Sequence, residues 1–327
     1  MLKDSFNRIH DYLRVSITDK CNLRCTYCNP LDLIRENHSG ASIMTVDEID
    51  RIVSVFVNEG VRKIRLTGGE PLVRKEAKEI MERLSKYPVE LVITTNGVFV
   101  DEFIETFKLS GIRSVNVSLD SLIKDKNLSI SRKDEFDRVF KNINLLLNNN
   151  FHVKVNMVVM KDVNDDEILD FIEWTKSKPV HVRFIEFMPF SGNRWSKEKV
   201  FSHKDILEII SSKYDFIKLI NEKNDTSKKY FVPNHQGTFA IISTMSEPFC
   251  SGCNRMRLTT DGKMKNCLFS NGEVDILSEL RNGRDILPLI RQCVADKKEA
   301  LGGQLTTNYQ NMDSSKINNR SMISIGG

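Results

Sequence analysis

Between residues 12 and about 215, short β-rich runs alternate with longer amphipathic ones, and this alternation restricts the possible folds more than any other feature of the chain. YLRVSIT, KIRLT, VELVITT, SVNVSL, HVKVNMVVM and VHVRFIEF read as strands, while VDEIDRIVSVFVNEG, KEAKEIMERLSKY and EFDRVFKNINLLLNN repeat apolar residues at helical spacing. Thr45, with Glu48 three residues on, predicts a capping box at the start of the first helix. Six β-then-α units call for parallel strands joined by helical crossovers, in an open doubly wound sheet or in a partial barrel. Periodicity alone does not choose between them.

Polar segments follow the strands: a cysteine loop, TGGEP from Thr67, TNG from Thr95, SLD from Ser118, and Met188 with Pro189. Barrel proteins build their sites at the carboxyl ends of strands, so these segments should meet at one mouth. After about residue 215 the alternation stops. We therefore expect a barrel-like unit over 1–215, a smaller unit over 216–300 that carries a second cysteine region, and a flexible tail over 301–327, whose Asn, Ser and Gly content reads as disordered. No apolar run approaches the roughly 18 residues of a bilayer span, and MLKDSFNRIHDYLRV lacks a signal-peptide core, so a cytoplasmic location is expected. A net charge of +4 is too small for a nucleic-acid coat but suits a site for a polyanionic small molecule.

Six of the seven cysteines form two triplets, Cys21, Cys25, Cys28 and Cys250, Cys253, Cys267; Cys293, on an apolar helix-like stretch, reads as a buried structural thiol. Three thiolates in one loop can hold three corners of a cubane iron-sulfur cluster and leave the fourth iron open for a ligand. A zinc knuckle is the alternative at the first triplet. At the second it is a zinc ribbon lacking one visible ligand, for which His235 is the nearest candidate, although its PNHQG setting reads more simply as a polar loop.

Tyr27 precedes the third cysteine of a C-x3-C-x2-C run, and Gly68, Gly69 and Glu70 close the second strand. Together they resemble the radical S-adenosylmethionine (SAM) superfamily. LRVSITDKCNLRCTYC, KIRLTGGEPL, TTNG, VNVSLDSL, RFIEFMPF, FCSGCNRMRLTTDGKMKNCLF and a final IGG resemble, across essentially the whole chain, the GTP 3',8-cyclase family. Asn29, where Met is usual, and MPFSGNRW depart from the commoner pattern.

The resemblance implies an α/β fold, an incomplete six-unit (βα) barrel of the radical SAM type with a C-terminal auxiliary iron-sulfur cluster region. It implies two 4Fe-4S clusters, one on each cysteine triplet, and SAM bound near Tyr27, Gly69, Thr95, Ser118 and Met188. GTP would meet Arg14, Lys63, Arg65, Lys154, Arg183, Arg255 and Arg257, since guanidinium forks suit phosphate oxygens and no P-loop is present. Arg255, Arg257, Gly326 and Gly327 would be catalytic, the glycines threading the cavity because they have no side chain. The implied reaction converts GTP to 3',8-cyclo-7,8-dihydro-GTP, the first step of molybdenum cofactor synthesis. The implied partners are an electron donor such as flavodoxin or ferredoxin and, downstream, cyclic pyranopterin monophosphate synthase. No nucleic acid and no membrane are expected, and a homodimer is one allowed state. The rival readings are a radical SAM peptide maturase, which normally needs more C-terminal cysteines, and a zinc-ribbon RNA-binding module.

Overall fold

The computed structural model describes residues 1–28, 43–305, 308–312 and 317–326. Six strands, β1 (Tyr12–Ser16), β2 (Lys63–Thr67), β3 (Glu90–Thr95), β4 (Ser114–Ser118), β5 (His152–Val159) and β6 (His181–Glu186), pair in parallel in chain order. The helices α1 (Val46–Asn58), α2 (Ala77–Leu84), α3 (Val100–Leu109), α4 (Lys124–Ser131), α5 (Phe136–Asn148), α6 (Ile168–Ser177) and α7 (His203–Ser211) follow them. The architecture is an open, incomplete (βα) barrel. The capping box expected at α1 is present: Glu48 N–H donates to Thr45 Oγ1 at 3.2 Å, and Thr45 N–H to Glu48 Oε2 at 2.7 Å.

Parallel strands covered on both faces usually read as continuous apolar runs. Here they alternate. Leu13 and Val15 of β1, Ile64 and Leu66 of β2, and Val153 and Val155 of β5 join the buried core with Phe56 of α1, Ile80 of α2 and Phe171 of α6. Each such side chain, fully buried, contributes about 1.5–3 kcal/mol. The intervening residues, Arg14, Arg65, Lys154 and Arg183 among them, take the opposite face by the two-residue period. The barrel interior is thus a cationic lining instead of packed apolar layers.

The C-terminal region does not form a sheet of its own. β7 (Ile217–Lys218), β8 (Lys228–Phe231) and β9 (Thr238–Ile242) extend one edge, β9 lying parallel to β6. β10 (Arg255–Leu258), β11 (Lys263–Lys265) and β12 (Val274–Asp275) extend the other, β10 lying parallel to β1. One 12-stranded sheet results. An open barrel has two rows of unpaired backbone groups, and the segment expected as an appendage covers both. α8 (Ile276–Arg281) and α9 (Leu287–Ala295) pack against β11 and its neighbours.

The described part of the tail also differs from its composition. Leu301, Leu305, Ile323 and Ile325, the last two in α10 (Met322–Ile325), are buried, and Leu301, Leu305 and Ile325 share a second apolar cluster with Phe187, Phe190, Trp195 and Phe269 at the barrel mouth. A few apolar residues spaced through a polar segment suffice to fold it when a cluster waits for them. MPFSGNRW contributes Phe190 and Trp195 to that cluster: Phe190 stacks on Phe269 at 5.8 Å, and Trp195 Nε1 donates to Phe187 O at 2.9 Å.

Candidate active site

The first triplet lies in the loop after β1, and hydrogen bonds fasten that loop on three sides. Thr26 N–H donates to Ile130 O at 3.0 Å, tying it to α4. Gly69 N–H donates to Thr18 O at 2.7 Å and Glu70 N–H to Lys20 O at 2.8 Å. A Cβ on Gly69 would stand 2.3 Å from Lys20 O, so only glycine permits this approach. Tyr27 Oη donates to Asp120 Oδ2 at 2.7 Å, and Asp120 Oδ1 accepts from Val158 N–H at 2.9 Å. Cys21 Sγ receives Leu23 N–H at 3.4 Å and faces Asn96 Nδ2 at 3.8 Å.

Glu70 is buried and works as a staple. It accepts from Thr95 Oγ1 at 2.7 Å, Asn96 N–H at 2.6 Å and Leu72 N–H at 3.0 Å. The Thr95 hydroxyl is thereby committed to Glu70, which makes Thr95 a support of the loop. Ser118 ends β4 opposite Asn156. Burial beside Glu70 pushes the Cys21 thiol up to about 11, burial with Cys21 and Asp120 pushes Cys28 up to about 12, and burial and Asp120 push Cys25 well above its usual value. Burial also raises the Asp120 carboxyl to about 6, against its two hydrogen bonds.

The second triplet opens on the barrel interior. Cys250, Cys253 and Cys267 line a cavity of about 200 Å³ together with Arg14, Arg65, Arg183, Arg255, Arg257 and Met188. Strand register explains the grouping: Arg257, Arg14 and Arg65 stand opposite one another on β10, β1 and β2, and Asn156 opposes Arg183 on β5 and β6. Lys154 and Lys63 lie outside that lining. Lys154 is electrostatically coupled to Arg183, Arg65 and Lys63, while Lys63 bridges Glu90 at 2.8 Å.

These cations depress one another. Burial and Arg183 bring the Lys154 ammonium down to about 8; burial and Arg65 bring Arg183 down to about 9; burial and Arg255 bring Arg257 down to about 10. Burial opposes ionisation of Tyr12, but Arg65 and Arg14 outweigh it and pull the phenol down to about 7. Such shifts mark an interior of strong positive potential, the electrostatic complement of a polyanion. At the second triplet burial raises Cys250, whereas at Cys253 the cations Arg255 and Lys297 overcome burial and lower the thiol to about 6. Leu301 N–H reaches Cys250 Sγ at 3.4 Å and Lys297 Nζ reaches Cys253 Sγ at 3.3 Å.

Gly326 enters this site from α10. Arg257 Nη1 donates to Gly326 O, and at φ +83° a Cβ on Gly326 would stand 2.4 Å from Thr67 Oγ1. Gly327 and Asn29 lie outside the described residues. His235, the fourth ligand considered for a zinc ribbon, is engaged elsewhere, its Nδ1 2.8 Å from Thr175 Oγ1 and its ring edge-on to Tyr214. Cys293 is buried on α9, as expected.

Asn116 and Asn156 also line the cavity, and the Oδ1 of Asn116 is buried with no hydrogen-bond partner among the described residues. The sequence reading misses both, together with Asp120, Asn96 and Lys297. Asn116 and Asn156 lie within recognised strands and Asp120 and Asn96 in the polar segments that follow strands, signals that could have found them; Lys297 gives none. In both triplets the donor chemistry fits an iron-sulfur cluster, with three thiols close enough to influence one another and N–H donors aimed at sulfur.

A family model described as the Radical SAM superfamily matches residues 15–175, and one described as Molybdenum Cofactor Synthesis C matches residues 180–302. The fold agrees with the first. Streptococcus suis SuiB bound to S-adenosylmethionine superposes with a TM-score of 0.65 over 94% of this chain and 72% of that one, at 14% identity, a likeness of fold alone. These features define a radical SAM protein, a class that implies SAM and a 4Fe-4S cluster.

Among curated relatives, GTP 3',8-cyclase of Alkaliphilus oremlandii is 39% identical over the full length of both chains. The mitochondrial GTP 3',8-cyclase of Arabidopsis thaliana is 42% identical over all of this chain and 84% of its own. The chain belongs to the GTP 3',8-cyclase family. It also matches molybdenum cofactor biosynthesis protein 1 of Dictyostelium discoideum at 44% identity, and spans about half of that relative's length (52%). Among the described residues no helix is long and apolar enough to cross a membrane.

Proposed function

We propose that this chain converts GTP to 3',8-cyclo-7,8-dihydro-GTP, the opening reaction of molybdenum cofactor synthesis. The observation that carries the reading is the row Arg257, Arg14 and Arg65, which runs across three strands from the second cysteine triplet and continues electrostatically to Arg183 and Lys154. A triphosphate, with about four negative charges, matches that row through charge-assisted and often bidentate hydrogen bonds.

Cys21, Cys25 and Cys28 hold the 4Fe-4S cluster of the class, and Cys250, Cys253 and Cys267 hold a second one. When bound, SAM and the first cluster would supply the radical chemistry that breaks the ribose C3'–H bond and lets C3' bond to guanine C8, with one electron and one proton returned to the nucleotide to give the dihydro product. The remaining work belongs to the chain. Tyr27 and Gly69 fix the cysteine loop, with Thr95, Ser118 and Met188 around SAM. Arg14, Lys63, Arg65, Lys154 and Arg183 draw the phosphates along the barrel. Arg257 belongs to that row and, with Arg255, holds the nucleotide beside the second triplet, and Gly326 narrows the cavity and excludes water. An electron carrier such as flavodoxin or ferredoxin serves the first cluster, and the product passes to cyclic pyranopterin monophosphate synthase.

Anaerobic reconstitution tests the reading. It expects about eight irons and eight sulfides per chain, two cubanes, and a cyclised GTP product detected by mass spectrometry after reduction with SAM. Stoichiometric zinc with no SAM cleavage would sink it.

A further inference from the structure

Lys297 follows α9 in the charged run ADKKEA. It is 3% exposed. Its ammonium lies 3.3 Å from Cys253 Sγ and donates to Arg255 O at 3.0 Å. Among the described residues no carboxylate comes within salt-bridge distance of it. A buried charge without an opposite partner is strongly destabilising, so an ammonium in this position calls for an anion at the sulfur it touches.

The surroundings aim it there. Arg8, itself buried, donates to Cys250 O at 2.8 Å, Glu299 O at 2.6 Å and Lys298 O at 2.8 Å. It ties the backbone just after Lys297 to the cysteine loop. Asp4 holds Arg8 through its Nε at 2.6 Å and accepts from or faces His10 Nε2 at 3.0 Å, so the neighbouring carboxylate is already engaged. The amino-terminal segment thus braces the back of the second triplet, and the lysine faces its sulfur.

We propose that Lys297 is a positioning residue of the second cysteine site, holding the Cys253 sulfur and setting the charge balance of the iron-sulfur cluster bound there. The proposal rests on the reading that Cys250, Cys253 and Cys267 carry a cluster. A cluster gains negative charge when reduced, and a fixed cation at a ligand sulfur stabilises the reduced form more than the oxidised one. Lys297 therefore raises the reduction potential of this cluster and slows loss of its iron.

The test uses the full chain, reconstituted anaerobically, as parent, Lys297→Met, Lys297→Gln and Lys297→Arg. Each is also made with Cys25→Ser, which leaves the second cluster as the one observed. Iron release to a chelator and the EPR-monitored midpoint potential are the readouts. Lys297→Met should release iron about tenfold faster or more and titrate at a more negative potential, and Lys297→Arg should recover both in large part. If Lys297→Met does not fold by circular dichroism, Lys297→Gln, neutral but still able to donate to Arg255 O, replaces it. A folded neutral variant with the parent's potential overturns the proposal, even if it releases iron faster, because the lysine would then be only a backbone tie. A parent with about four irons per chain overturns the proposal and the two-cluster reading together, an outcome distinct from a two-cluster parent that ignores Lys297.

Discussion

Cys25 and Cys253 are both partly buried thiols in three-cysteine sets, yet burial and Asp120 push the first well above its ordinary value, while Arg255 and Lys297 overcome burial and bring the second down to about 6. The difference lies in the neighbours. Glu70 and Asp120 stand around the first loop, and arginines and a lysine stand around the second. A carboxylate beside a cluster disfavours the added electron, which makes the reduced form a stronger donor. A cation favours the electron and draws anions to the same place. On the proposed reading, each cysteine triplet specifies ligation, and the residues around them divide the labour.

The sharpest break of this comparison is paired substitution. Cys25→Ser should abolish reductive SAM cleavage, whereas Cys253→Ser should abolish cyclisation and leave uncoupled SAM cleavage, both followed as 5'-deoxyadenosine release by chromatography. Loss of both activities in Cys253→Ser with the first cluster intact would reduce the second site to a structural part. Next, potentiometric titration should find the second cluster at a higher potential than the first, and the reverse order would remove the electrostatic contrast. Arg257→Ala should then weaken GTP binding by about 1.5–3 kcal/mol, the range for hydrogen bonds to charged groups. Calorimetry at physiological salt that returned the parent's affinity would take Arg257 out of the pocket.

Smaller effects lie at the tail and at Lys154. Gly326→Ala brings a methyl onto Thr67 Oγ1 and strains a left-handed backbone, with an expected cost of about 1–3 kcal/mol. Cyclisation should fall while SAM cleavage and both clusters persist, and a parent-like rate would show that the strand ends yield easily. Lys154, brought down to about 8 without substrate, should be pulled up by a bound triphosphate. Binding is then strongest below pH 8 and weakens as pH rises above that value. Lys154→Gln should flatten the slope of GTP affinity between pH 7 and 9.5, and an unchanged slope would assign it to another group.

How much of this is legible in the sequence depends on the kind of signal. The strand alternation, the cysteine spacings and the arginines at alternate positions of RMR are local patterns, and the structure brings Arg14, Arg65, Arg255 and Arg257 together at neighbouring strand positions. Lys297 and Lys298 look alike in the chain, yet Lys297 is buried against Cys253 and Arg255 while Lys298 stays exposed. The tail misleads because its few apolar residues meet a cluster built by distant segments. The second-region strands mislead because two- to five-residue strands gain their place from the open edges that receive them.

The pairing of β10 with β1 also has a temporal side. Tyr12 must wait for Arg255, more than two hundred residues later, before that edge of the sheet is closed. Contacts so distant in the chain form slowly, and during synthesis a nascent chain shows free strand edges until the late strands arrive. Until then the arginine-lined interior lacks one wall and any anion to offset it. A fragment ending near residue 215 should therefore aggregate instead of folding as a stable barrel, and in the cell this chain should depend on protection of its early strands until its final third has been made.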